Sequence, residues 1–395
     1  MPKDQIFELL TDPGGSAHGP TLKVGVVGCG YWGSKHVRVL TAMPQVALVV
    51  AIDHDPSTLS SLARRFPQIG TASALADVGA ELDAVVVATP ARTHGALATE
   101  ALESGCHVLV EKPLATSVVD AERLVRLGDQ RGLRVMSGHT FEYNPAVWKL
   151  RTILQQGSLG EIYHIYTARL NLGLFQGDVN VVWDLGPHDI SIVNYLLGSR
   201  PTSVSAWAGA LGHQPVEDVA YLRLHYPDIG LVAQVHLSWL DPCKVRRVTV
   251  VGSRKMAVYD DLADDERLKI FDKGIDAAEG AAPAHGQIAY RRGGSECPYI
   301  DFREPLAIED RTFVESILAG EPVPSDGRSG LAVVRVLEAA TESMRLGRSV
   351  DISYGANIEP GHAAPVEPVP AATVGAGSAR NGSRPAIGTE FGEAR

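Results

Sequence analysis

The stretch Leu22 to Gly33, LKVGVVGCGYWG, is an apolar run followed at once by three glycines spaced G-x-G-x-x-G, at Gly28, Gly30 and Gly33. A short, β-branched run of this kind reads as a strand buried on both faces. The first glycine permits a tight turn, the second lets backbone approach a pyrophosphate, and the third lets a helix pack closely on the strand. A helical pattern starts near Trp32, so the free N–H groups of that helix face the turn, where they hold anionic phosphate. Twenty residues beyond Gly33, closing the run ALVVAID, stands Asp53, placed to accept both hydroxyls of a ribose. His54 and Asp55 follow it in place of an arginine, so a 2′-phosphate would meet an uncompensated carboxylate. The pattern predicts NAD, not NADP. Tyr31 and Trp32, between the second and third glycines, are expected beside the same ligand.

Outward from this stretch, Leu22 to Ser137 alternates strand-like runs (LKVGVVG, ALVVAID, DAVVVAT, HVLVEK, LRVMSG) with helical patterns. That alternation predicts an α/β domain with a doubly wound parallel sheet. Ligands of such sheets sit beyond the carboxyl ends of the strands. Thr89, Pro90 and His94 of ATPARTH, and then Glu111-Lys112-Pro113, stand at such ends, with Lys112 able to point its ammonium into the crevice. After Pro145 the texture changes: a helix over 146–156 leads into runs of two-residue alternation, which predict a mostly antiparallel sheet in an α+β second domain. Helical patterns over 304–319 and 327–346 are long enough to lie back on either domain. The expected organisation is a flexible N-terminus over 1–20, a nucleotide-binding domain over 21–144, a substrate-binding α+β domain over 145–354 and a tail over 355–395. The tail is rich in Pro, Gly and Ala and is too poor in large apolar groups to offset the entropy of ordering it.

The 395 residues are 45% hydrophobic and 21% charged, which excludes disorder of the whole chain and allows two cores. A formal net charge of −10 argues against a nucleic-acid partner, since counterion release needs a concentrated basic surface. The longest apolar run, Val46 to Ile52, is of strand length and far short of a membrane span, and MPKDQIFELLTDPGG lacks a secretory pattern. A cytoplasmic protein without a membrane partner is expected. Cys29, Cys106, Cys243 and Cys297 have no zinc-ligand spacing, so reduced structural thiols and no metal are expected. The sequon at Asn381 reads as a chance match.

The glycine motif with Asp53, then Glu111-Lys112-Pro113, then GHTFEYNP over 138–145, then Asp184-Leu-Gly-Pro-His188, in this order and spacing, resemble the Gfo/Idh/MocA oxidoreductases over about residues 22–352. The resemblance implies a Rossmann domain followed by a domain with a large open sheet, used for assembly as a homodimer or homotetramer. It also implies a catalytic set of Lys112, Asp184 and His188. The residues allow the same roles: Gly186-Pro187 reads as a helix start, with His188 in the first turn, where the helix dipole keeps imidazole neutral, and Asp184 just outside, able to orient it. TFEYNPAV and the segments around 181–198 and 238–262 look most like the nucleotide-sugar branch, such as UDP-N-acetylglucosamine 3-dehydrogenases. Tyr143, Asn144, Lys112, Asp184 and His188 are then candidate substrate contacts, Trp183 and Trp239 could stack on a sugar or base, and of Arg246 and Arg247 at most one can face a given pyrophosphate. The expected activity is hydride transfer between a secondary sugar hydroxyl, at C3, and the nicotinamide of NAD. Inositol or free-sugar oxidation, NAD-dependent glycoside cleavage and a non-catalytic sugar or NAD sensor are the alternatives.

Overall fold

The computed structural model describes residues 20–173, 179–212, 215–276 and 289–355. The N-terminal segment up to residue 19 and the tail from 356, with Asn381, lie outside the described residues.

The β-branched runs form β1 (Leu22–Val27), β2 (Val46–Ile52), β3 (Gly70–Ala72), β4 (Ala84–Val87), β5 (His107–Glu111) and β6 (Val135–Gly138). They make one parallel sheet in the order β3-β2-β1-β4-β5-β6, the Rossmann arrangement. Helices α1 (Gly33–Thr41), α2 (Pro56–Arg65), α3 (His94–Glu103) and α4 (Val118–Arg131) connect them. Successive strand residues face opposite ways and feed two cores. Val24, Val26, Ala84 and Val86 pack with Val37 and Leu40 of α1; Val50, Ile52, Val85 and Val87 pack with Ala98 and Leu102 of α3.

From α5 (Pro145–Gln155), capped by the Asn144 side chain accepting the Ala146 N–H, the chain enters the second sheet. Its strands are β7 (Ile162–Leu172), β8 (Ser203–Gly209), β9 (Val219–Tyr226), β10 (Leu231–Ser238), β11 (Leu240–Gly252), β12 (Met256–Asp260), β13 (Leu268–Asp276), β14 (Ala289–Glu296) and β15 (Val350–Asp351). The order is β14-β13-β12-β11-β7-β10-β9-β8-β15, and only β7 with β10 is parallel. Helix α6 (Val181–Leu197) lies between β7 and β8 in the chain and covers the inner face, where Ile190, Val193 and Leu196 meet Leu222, Leu224, Val235 and Leu237.

Two C-terminal helices return to the first sheet. In α7 (Pro305–Ala319), Leu306, Phe313 and Val314 join the core of β1 and α1. In α8 (Gly327–Leu346), Leu331 and Val334 join the opposite core, while Val336 and Leu337 join that of the second sheet. The two sheets therefore share apolar layers contributed by the end of the chain. Cys29 and Cys106 are buried, but Cys243 and Cys297 are exposed, so the expectation of four structural thiols holds for two. Among the described residues no helix is long and apolar enough to cross a membrane, and no group of three or more His, Cys, Asp or Glu could hold a metal.

Candidate active site

Gly28 turns the chain from β1 into α1 with φ of 84°, and Gly33 lies so close to it that a Cβ would meet the Gly28 carbonyl oxygen at 1.8 Å. Above Gly30 nothing stands within 4 Å of where a Cβ would be. This open cradle, at the start of α1, fits a dinucleotide pyrophosphate. Asp53, at the end of β2, accepts the Cys29 N–H at 2.8 Å and the Asp55 N–H at 2.9 Å, which aims its carboxylate at the edge of the cradle. A cleft of 460 Å³ continues from there, lined by Trp32, Thr89, Pro90, His94, Glu111, Lys112, Trp183 and Asp184 among others. His94 is buried between two strand ends under the cleft, with Nδ1 2.7 Å from the Pro113 carbonyl and Nε2 2.8 Å from the Thr89 carbonyl, and in its neutral form it donates to one of the two. Burial holds its pKa down. Tyr31 is largely exposed, edge-on to Trp32 at 5.4 Å, with the Lys35 ammonium over both rings.

A second cavity, of 280 Å³, adjoins the first and shares Trp32 and Glu111 with it. Its walls include Phe141, Asn144, Arg169, His188, Lys244 and Arg246. The link between the two is α6. Lys112 Nζ donates to the Asp184 carbonyl at 2.8 Å and to its carboxylate at 3.0 Å, and Trp239 Nε1 donates to the other carboxylate oxygen at 3.2 Å. His188, one turn further along α6, faces the second cavity, edge-on to Phe141 at 5.2 Å. Its pKa lies well below 6.5, because burial disfavours imidazolium first and the positive charges of Lys112, Arg169, Arg246 and His139 add to that. The result is a neutral imidazole in a wall of cations, next to an ammonium fixed by a carboxylate.

A cradle for a dinucleotide, a strand-end lysine and a neutral histidine on one helix is the equipment of a pyridine-nucleotide oxidoreductase, and the comparisons with known proteins agree. The oxidoreductase family described by its NAD-binding Rossmann fold matches residues 22–139, and the GFO/IDH/MocA C-terminal domain matches 147–258. Inositol 2-dehydrogenase 1 of Saccharopolyspora erythraea is 34% identical over 84% of this chain and 96% of its own. The chain belongs to the Gfo/Idh/MocA oxidoreductase family. UDP-N-acetylglucosamine 3-dehydrogenase of Acidithiobacillus ferrooxidans is 28% identical over 81% of this chain and 96% of that one. GenD2 from gentamicin A biosynthesis, solved in complex with NAD, superposes with a TM-score of 0.72 at 28% identity, covering 86% of this chain and 99% of the other.

Within this Gfo/Idh/MocA protein several expected placements differ from those observed. Asn180, not a residue near Gly186, caps α6, its side chain accepting the Trp183 N–H at 3.1 Å, so Asp184 lies in the first turn and Pro187 inside the helix. His188 is thus two turns in, beyond the reach of the dipole. Its neutrality comes from burial and neighbouring cations instead, and the Asp184 carboxylate is occupied by Lys112 and Trp239. Tyr143 is fully buried with its hydroxyl 2.8 Å from Ser325 Oγ, in the core under β1 and α7, and cannot contact substrate. Trp239 is likewise buried, whereas Trp183 lines the first cleft. Arg246 faces the second cavity and Arg247 pairs with Asp260 on the other side, as strand alternation requires.

Sequence reasoning missed Arg169, Lys35 and a buried cluster behind Glu111. Arg169, from β7, pairs with Asp189 at 2.5 Å and lies over the Phe141 ring. His36 bridges Glu111 and Asp310. The one available signal was the position of His36, three residues after Gly33 and so on the face of α1 that meets the sheet.

Proposed function

We propose that this protein is an NAD-dependent dehydrogenase or ketoreductase that acts on a secondary hydroxyl, at C3 of a nucleotide-linked sugar. The observation that carries the reading is the pairing on α6 of a lysine ammonium locked by Asp184 with a neutral His188 one turn away. When bound, NAD supplies the hydride acceptor at the carbinol carbon. His188 is free to take the hydroxyl proton, because its neighbours keep it unprotonated. Lys112 donates a hydrogen bond to the same oxygen as it becomes a carbonyl, and Asp184 keeps that ammonium in place. In the reverse direction Lys112 polarises the ketone and protonated His188 returns the proton.

Two observations favour a nucleotide-linked substrate. Arg169 and Arg246 stand directly opposite each other across β7 and β11 on the cavity side, each with a carboxylate partner, Asp189 and Asp261, and offer guanidinium N–H groups to an anion there. Lys244 and Lys35 line the same cavity. The relative that acts on UDP-N-acetylglucosamine agrees with this, while the inositol 2-dehydrogenases among the relatives favour a neutral polyol as the second reading. Asp53 supports NAD over NADP, and the outer face of the second sheet suits a second copy of the chain.

The test is a screen of nucleotide-linked sugars, inositols and free sugars with NAD, read as NADH formed per substrate consumed, for wild type, Lys112→Ala and His188→Ala. Each substitution is expected to cost about 10²–10⁴ in turnover while NAD affinity and melting temperature stay close to wild type. Wild-type turnover in both folded variants would refute the site. Sugar release without net NADH would instead indicate glycoside cleavage.

A further inference from the structure

The cluster behind the crevice wall is used by none of these steps. His36, fully buried on α1, has Nδ1 2.7 Å from Asp310 Oδ1 on α7 and Nε2 3.2 Å from Glu111 Oε1 at the end of β5. Neutral imidazole has one N–H, so with both carboxyl groups ionised both contacts are hydrogen bonds only for the imidazolium. Burial alone would depress the His36 pKa, but the two carboxylates outweigh it and raise it well above 6.5. Glu111 is correspondingly held ionised: its burial is outweighed by His36, with Lys112 and its N–H, which reaches Glu111 Oε2 at 3.1 Å, adding to the effect. Glu309, beside them and accepting the Thr140 hydroxyl at 2.9 Å, is pushed well above the carboxylate range by burial and by the charges of Glu111 and Asp310, and stays neutral. Burial raises the Asp310 pKa, and the facing His36 imidazolium with its hydrogen bond opposes that rise. With Asp310 and Glu111 both ionised, two carboxylates against one imidazolium leave the cluster with one net negative charge. The Lys112–Asp184 pair balances itself. Glu111 lines both the cofactor cleft and the adjoining cavity, so this charge lies at the wall where the two meet.

Oxidised nicotinamide carries a positive charge that the reduced ring lacks, so a fixed negative charge at this wall acts on one redox form alone. We propose that His36 and Asp310 are positioning residues that keep Glu111 ionised, and that the net charge of this cluster makes the protein bind NAD⁺ more tightly than NADH. The inference rests on the cofactor part of the proposed function and is independent of the sugar.

The experiment is calorimetric titration of the full chain, without substrate, with NAD⁺ and with NADH. The ratio of the two Kd values in wild type should favour NAD⁺, and Asp310→Asn and Glu111→Gln, each removing one negative charge, should move it about tenfold toward NADH. Asp310→Glu, which keeps the charge, should retain the wild-type ratio even if the melting temperature falls. Should Asp310→Asn fail to fold, Glu111→Gln reads the same quantity, since its amide oxygen still accepts the Lys112 N–H. A cluster that only ties α1, β5 and α7 together would weaken both redox forms equally and leave the ratio unchanged, which would overturn the inference while leaving the cofactor assignment intact. A wild-type ratio near one would also overturn it, and failure of wild type to bind either form would remove the cofactor reading itself.

Discussion

Gly30 and Gly33 are three residues apart in one motif, yet they answer to different forces. A methyl group at Gly33 would be driven into the Gly28 carbonyl, so the backbone must shift there whether or not a ligand is bound. A methyl group at Gly30 meets nothing in the protein and fills only the space above the loop. Gly33→Ala should therefore lower the melting temperature of the cofactor-free protein by several degrees, since a clash of this size costs at least about 1–3 kcal/mol. Gly30→Ala should leave that temperature within about a degree and still weaken NAD binding about tenfold or more, because the pyrophosphate loses its close approach to the backbone. Thermal melts of the free protein beside NAD titrations separate the two. Equal loss of stability in both variants would show that the cradle is not a ligand site. Asp53 belongs to the same scale: its position after the second strand was legible in the sequence, but its hydrogen bonds to Cys29 and Asp55, which aim the carboxylate, were not.

Helix α6 carries Asp184 and His188 one turn apart and delivers Asp184 to the first cavity and His188 to the second. Proline at 187 suggested a helix start because proline is at home in a first turn. The side chain of Asn180 instead satisfies the Trp183 N–H, and Val181 and Val182 bury themselves in the core of the second sheet, so packing nucleates the helix earlier and carries it through the proline. The consequence for His188 is measurable. Its folded pKa lies below that of the unfolded chain, near 6.5, because burial and then the cations Lys112, Arg169, Arg246 and His139 oppose its charge. Below about pH 6.5 the unfolded chain takes up a proton that the folded chain refuses, so this contribution is complete above that pH and is lost as the solution becomes more acid. Between pH 7.5 and 5.5 wild type should lose about 1 kcal/mol more unfolding free energy than His188→Gln, measured by urea denaturation. An equal loss in the two proteins would mean that His188 titrates normally.

On the scale of the whole molecule, the inner face of the nine-stranded sheet is sealed by α6 and α8, while the outer face shows aromatic groups. Trp207 of β8 and Tyr221 of β9 are both about half exposed and are paired in register, with ring centroids 6.0 Å apart, and Tyr221 stacks on His236 of β10 at 4.2 Å. Two exposed aromatics on neighbouring strands, backed by the partly buried His236 on a third, are the kind of surface a second copy of the chain covers. Replacing Trp207 and Tyr221 together with Glu should shift the protein to a monomer in light scattering at about 10 μM, with its melting temperature as the control for folding. A wild-type protein that is monomeric at that concentration would remove this proposal.

Periodicity and the glycine spacing were enough to determine five of the six parallel strands, the cofactor end, the second sheet and the helix over 327–346, because local backbone sterics and the burial of every second or every third to fourth side chain are written into adjacent residues. The three-residue strand Gly70–Ala72 is too short to show a period and is set by its pairing with β2. Strand-end logic reached Lys112 and the family resemblance reached Asp184, but Asp184 was expected to orient His188, and its pairing with Lys112 appears only in the tertiary structure. Other residues brought together from distant parts of the chain were not legible either. Tyr143 reads like a sugar contact from its neighbours, but only the return of the Ser325 loop to β6 decides that its hydroxyl is spent inside the core. His36, Glu111 and Asp310 come from three elements separated by as many as 274 residues. Each is unremarkable in its own segment, and only the docking of α7 on α1 excludes water from all three and turns them into one charged unit. Charge in a protein interior depends on what surrounds it in space, which local sequence does not encode.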